Sequence, residues 1–162
     1  VELPRLPLLS CSSSPTGACN DYAGCHAGST VPIDIDNDGL LFLNSSESIH
    51  EIPDGAATTI LVGEKKSLPT DAGFITGDYS TLRNTGVPAD VDYAQPRGGY
   101  YGQTTGENFD PKARGFASFH SQTCNFLMAD GSVECISNRI NFEVYQHLGS
   151  RSDGVLISAD SF

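Results

Sequence analysis

Lys and Arg are scarce in this sequence, nine against twenty Asp and Glu, which gives a formal net charge of −11. Such a surface repels DNA phosphates and anionic lipid headgroups, so nucleic acid is excluded as a natural partner. Long apolar runs are also missing. Gly39 to Leu43 and Thr58 to Val62 are the longest candidates, far short of the ~20 residues a spanning helix needs. There is no initiator Met and no charged-then-apolar leader, so Val1 reads as the start of a processed or truncated product. Whatever targets the chain is therefore expected to lie outside this sequence.

Several catalytic and cofactor signatures are absent as well. No Cys-x-x-Cys pair surrounds Cys19, Cys25 and His26, with Cys11 upstream, so no zinc motif is formed. Covalent haem attachment before Cys25-His26 would need a cysteine where Tyr22 stands. Gly63-Glu64-Lys65-Lys66-Ser67 lacks the earlier glycine of a phosphate loop and reads as a strand end. Ser118, His120 and Asp130 have the residue types of a hydrolase triad, but Ser118 sits in no Gly-x-Ser-x-Gly elbow. No catalytic residues are expected.

What is present points to β structure. The chain of 162 residues suffices for one domain with a core. Charged residues are only 18%, while Gly, Pro, Ser, Thr and Asn are plentiful, the composition of short strands joined by turns. Residues 1–30 hold Pro4, Pro7, Pro15, Gly17, Gly24 and a Ser12-Ser13-Ser14 run without sustained period, and read as a loop-rich N-terminal segment. Residues 31–162 then form a single β-rich domain. Gly39 to Leu43, Thr58 to Val62 and Val155 to Ile157 read as strands. From Lys65 to Arg114, Gly, Pro, Asp, Thr and Tyr dominate, which predicts long surface loops with Tyr100 and Tyr101 as a candidate ligand-binding stretch.

The clearest local structure comes late. Cys124 to Ala129 and Ser132 to Ile136 flank Asp130-Gly131, the signature of a hairpin closed by a type I′ turn. That turn would pair Met128 with Val133 and Phe126 with Cys135, leaving Cys124 diagonal to Cys135 at a separation long for a disulfide. Asn141 can cap a short helix through Gln146 that stops at Gly149, with Phe142, Tyr145 and Leu148 as its buried stripe. The expected fold is mostly β (α+β): an antiparallel sheet, long loops and one short C-terminal helix.

Five cysteines, three of them in the first 25 residues, suit an oxidising, extracytoplasmic compartment. A disulfide is expected among Cys11, Cys19 and Cys25, with the connectivity open. Asp34-Ile35-Asp36-Asn37-Asp38-Gly39 places carboxylates at alternate positions before a glycine, the spacing of a calcium loop. Asp34, Asp36, Asp38, the Leu40 carbonyl and Glu47 are its candidate Ca²⁺ ligands, although Ser45 occupies the twelfth position, where a helix-loop-helix site has a bidentate Glu.

One constellation is more specific. Phe119-His120, nine further residues, and then Asp130-Gly131-Ser132-Val133 resemble the signature of the bacterial prepilin-type processing-associated His-X9-Asp-Gly proteins. Upstream, Leu9-Ser10-Cys11, Asn20 to Cys25, Gly39 to Phe42, Ile52 to Gly55 and Thr59 to Glu64 follow the order usual in that family. Members usually carry Pro-Gly-Gly just after the histidine, where this chain has Ser121-Gln122-Thr123. The acidic 34–39 loop is also outside the family pattern. The resemblance implies the head of a type IV pilin-like or pseudopilin-like envelope subunit, whose leader and long apolar anchoring helix would precede Val1. Its implied partners are other pilin-like subunits, including copies of itself, or secretion machinery. His120 is expected to clasp the turn carboxylate of Asp130 or a loop carbonyl. The alternative is a secreted, calcium-stabilised module that binds a glycan or peptide through the Tyr100 region.

Overall fold

The computed structural model describes residues 7–15, 20–66, 81–89, 115–158 and 161–162. Among these, five strands form one open sheet: β1 Tyr22–Ala27, β2 Ile60–Glu64, β3 Leu82–Asn84, β4 Thr123–Met128 and β5 Val133–Ser137. Their spatial order is β3-β1-β2-β4-β5. One helix, α1 Phe142–Gly149, follows, so the fold is mostly β with a single short C-terminal helix, as the composition and periodicity imply. The sheet is mixed, however, and not wholly antiparallel. β1, β2, β4 and β5 pair antiparallel in turn, but β3 lies parallel to β1. Both sides of β2 are already occupied by β1 and β4, so β3 takes the remaining edge of β1.

The loop reading of residues 1–30 fails at β1, which sits inside the sheet between β3 and β2. Its Ala, Gly and Cys residues carry little intrinsic strand preference. Neighbouring strands on both sides supply its backbone partners instead. Gly39 to Leu43, read as a strand, forms none. Gly39 and Leu41 donate backbone N–H groups to His26 and Cys25 of β1, two bonds without the continued ladder that defines a strand. Val155 to Ile157 also form no strand, and Leu156 is 82% exposed. The long surface loop expected over 65–114 is interrupted by β3, whose Arg83 and Asn84 are buried, while the rest of it beyond 65–66 and 81–89, with Tyr100 and Tyr101, lies outside the described residues.

Alternation along the strands builds the core. Cys124, Phe126 and Met128 of β4 point to one face, joined by Ala23 and Cys25 of β1, Ile60 of β2 and Ile136 of β5. Helix α1 covers that face with Tyr145 and Leu148. Asn141 caps the helix as its position predicts, its Oδ1 accepting from Glu143 N at 2.9 Å and Val144 N at 3.3 Å. Phe142, expected in the buried stripe, is partly exposed. Phe126 is the hub: its ring lies edge-on to Phe116 at 5.3 Å and to Tyr145 at 5.9 Å. Truncating so well enclosed an aromatic costs about 3–5 kcal/mol.

The hairpin exists, but its turn and register differ from expectation. Gly131 N donates to Met128 O at 3.1 Å, and Met128 N donates to Ser132 O at 2.9 Å. Among the hairpin residues positive φ is confined to Gly131, at 90°. This is a three-residue loop, a tight turn followed by a left-handed glycine, and not a two-residue type I′ turn. The extra loop residue shifts the pairing to Leu127 with Val133, Phe126 with Glu134 and Asn125 with Cys135. A one-residue slip sends alternate side chains to the other face. Cys135 is therefore exposed while Cys124 stays buried.

A second irregularity shapes the outer face. In β2 the register shifts between Ile60 and Val62, so Ile60 pairs with Met128 whereas Val62 pairs with Leu127. This bulge turns Val62 and Glu64 outward, away from the helix, alongside Tyr22, Asn125, Leu127 and Val133.

Candidate functional site

The described residues bring three metal-ligating side chains together at the end of β2: Cys11, Glu64 and His120. Each arrives by a different route. Glu64 closes β2 and is buried. Its Oε2 accepts the backbone N–H of Asn125 from β4 at 2.8 Å, which fixes the carboxylate at the strand end. Cys11 comes from the strap that follows the short 3-10 turn Pro7–Leu9. Asp21, immediately before β1, ties that strap down: its Oδ2 accepts Cys11 N at 3.0 Å, its Oδ1 accepts Ser14 Oγ at 3.2 Å, and its own N–H donates to Leu9 O at 2.8 Å. His120 stands in the loop entering β4, with its backbone N–H on Ser118 Oγ at 3.0 Å.

The geometry is specific to one nitrogen. His120 Nε2 lies 3.5 Å from Cys11 Sγ and 3.4 Å from Glu64 Oε1, while Nδ1 faces Ser13 Oγ at 3.4 Å. A catalytic triad uses opposite ring nitrogens for nucleophile and carboxylate. Here thiol and carboxylate meet the same one. Burial pushes the Cys11 thiol above its ordinary pKa, and the neighbouring Glu64 adds to the rise. Tyr22, beside them, is raised by burial and then by the Cys11, Glu64 and Asp21 charges.

The sequence-predicted residues are placed differently from expectation. His120 does not reach Asp130, because the whole of β4 lies between them. Asp130 instead accepts Ser132 N at 2.8 Å and Ser132 Oγ at 2.7 Å within its own turn, which holds its carboxyl below the usual pKa. The motif thus brackets one strand, histidine at one end and turn at the other. Ser118, His120 and Asp130 form no triad for the same reason.

The acidic loop is arranged around an internal cation. Arg151 pairs with Glu47 at 3.3 Å, Asp38 accepts Gly28 N at 3.0 Å, and Asp34 accepts Ile35 N at 2.7 Å. Asp36 is exposed and Leu40 is buried. Among the described residues, the carboxylates of Asp34, Asp36, Asp38 and Glu47 do not converge as a ligand cluster. Cys11 and Cys25 are free thiols, so the expected bridge does not join them, and Cys19 lies outside the described residues. Cys11 faces Glu64 and His120, whereas Cys25 Sγ is buried against Gly149 O at 3.6 Å. Glu64 was not legible as a site residue. Cys11 and His120 stand 109 positions apart, and no local spacing links them.

An open, mixed sheet with one covering helix makes this a mostly-β (α+β) protein. Residues 6–143 match the model of a family described as a protein of unknown function (DUF1559), and the chain belongs to that family. No curated protein and no solved structure matches it.

Proposed function

We propose that the chain is the head of a pilin-like or pseudopilin-like subunit of a bacterial envelope assembly, carrying the His-X9-Asp-Gly signature and acting by subunit contact without turnover. The observation that carries this reading is the outer face of the sheet. Val62, Leu127 and Val133 are register partners across β2, β4 and β5, and form an apolar row on the side opposite α1. Val133 is 66% exposed. A contiguous apolar row beside an edge strand is the kind of surface a neighbouring subunit covers. The Asp130-Gly131 turn holds two of its strands in register, which gives the signature a structural purpose.

The test is made in the full-length protein in its own cell. Val133→Asp is expected to abolish site-specific crosslinking between heads and recovery of the protein in an assembled envelope fraction, with unchanged folding by circular dichroism. Ser152→Asp, on an exposed loop, should leave assembly intact. Wild-type-like assembly of Val133→Asp and a second row variant, Leu127→Asp, would sink the proposal.

A further inference from the structure

Ligand bonds to zinc run ~2.3 Å to thiolate sulfur, ~2.0–2.1 Å to imidazole nitrogen and ~2.0–2.2 Å to carboxylate oxygen. In a tetrahedral site these lengths put sulfur and nitrogen about 3.6 Å apart, and nitrogen and oxygen about 3.4 Å apart. The separations from His120 Nε2 to Cys11 Sγ and Glu64 Oε1 are 3.5 Å and 3.4 Å, and all three donors lie within 4.8 Å of one another. One ring nitrogen has a single proton or a single lone pair and cannot serve thiol and carboxylate equally.

We propose that Cys11, Glu64 and His120 form a zinc-class transition-metal site that clips the N-terminal strap to the end of β2. The donor set is sulfur, nitrogen and oxygen, which suits zinc and its neighbours and does not suit the all-oxygen preference of calcium or magnesium. Cys11 binds as the thiolate, its proton passing to solvent.

The surroundings hold each ligand in place, as metal sites require. Glu64 Oε2 is engaged by Asn125 N, Cys11 N by Asp21, and His120 Nδ1 faces Ser13 Oγ, leaving Nε2 for the ion. Cys11 and Glu64 are buried, whereas the His120 side chain is 36% exposed. The fourth coordination position therefore opens on the histidine side, where water or an external ligand can enter.

Calorimetry with zinc on the whole chain should show one equivalent bound. Cobalt(II) should give a thiolate-to-metal charge-transfer band together with the intense visible bands of a tetrahedral ion. Cys11→Ser should remove the charge-transfer band and weaken zinc binding at least about a hundredfold, more than loss of an outer partner does. His120→Gln and Glu64→Gln should each weaken it at least about tenfold. Cys135→Ser, on the exposed edge strand, should change neither. Folding of each variant is followed by circular dichroism, and should Cys11→Ser not fold, His120→Gln decides. Absence of stoichiometric zinc uptake by the wild type, or a thiolate–cobalt band that survives Cys11→Ser, overturns the site.

Discussion

Arg151 donates from Nη1 to the carbonyl oxygens of both Asn37 and Gly39, each at 2.7 Å, which puts a guanidinium inside the acidic loop. Its second nitrogen pairs with Glu47, its backbone N–H donates to Asp38 O at 2.8 Å, and its charge lies 4.9 Å from the centre of the Phe42 ring. Lysine cannot reproduce the planar fork, which reaches two carbonyls and a carboxylate at once. Arg151→Ala should lower unfolding stability by about 2–4 kcal/mol, and Arg151→Lys should recover only part of it, as read from urea denaturation midpoints. With Glu47 already paired to Arg151, added calcium should leave the wild-type melting temperature unchanged; a rise of several degrees would establish calcium as a ligand of the loop.

Gly39 and Gly131 should respond unequally to the same substitution. A Cβ on Gly39 would collide with the carbonyl carbon of His26 and sit 2.7 Å from Ala27 N, both backbone atoms of β1. Gly39→Ala should therefore cost about 3 kcal/mol or more, because the sheet itself would have to move. Gly131 has nothing within 4 Å of such an atom, only a positive φ of 90°. Gly131→Ala should cost about 1–2 kcal/mol. Equal losses in chemical denaturation would contradict the close packing of Gly39 on β1.

The thiols should separate by accessibility. Cys135 is exposed and should react with maleimide in the native protein, whereas Cys25 and Cys124 should label only on unfolding. Burial pushes the Cys25 thiol from 9.0 to about 12. The folded form keeps its proton after the unfolded chain has lost it, so this contribution to stability is full below pH 9.0 and declines as pH rises toward about 12. Cys25→Ala should flatten that alkaline slope, measured by denaturation across the pH range. An unchanged slope would place the titration elsewhere.

His26 should act at the acid side. It is fully buried on β1, its Nδ1 2.9 Å from Asn37 Oδ1. Burial lowers its pKa below the ordinary 6.5, with Arg83 acting in the same sense and Asn37 and Asp38 opposing. As pH falls below 6.5 the unfolded chain takes up a proton that the native state refuses, so stability is full above that value and declines beneath it. The imidazole resonances of His26 should titrate only below the ordinary 6.5 on acidification. Titration of His26 at or above 6.5 would refute the assignment.

The features legible in advance share a physical property: they depend on residues within a few positions of one another. Asn141 caps α1 through N–H groups just beyond it, although the helix runs past Gln146 to include Gly149 and ends on Ser150 as its C-cap. Asp130-Gly131 marks a hairpin because left-handed φ is cheap only at glycine. Low charge with many turn formers already implies short strands. Even there the turn type, and with it the register, was missed, since one loop residue more or less decides which face Cys135 occupies.

What only the tertiary structure decides are relations between distant segments. The sequence by itself determined a β-rich chain, its hairpin, its capped helix and a net charge of −11, all from local dihedral preference and composition. The inclusion of β1 in the sheet, the outward turn of Glu64 at the β2 bulge and the meeting of Cys11 with His120 across 109 positions came from strand pairing. Pairing energy depends on which surfaces find each other once the chain collapses, and no residue carries that information alone.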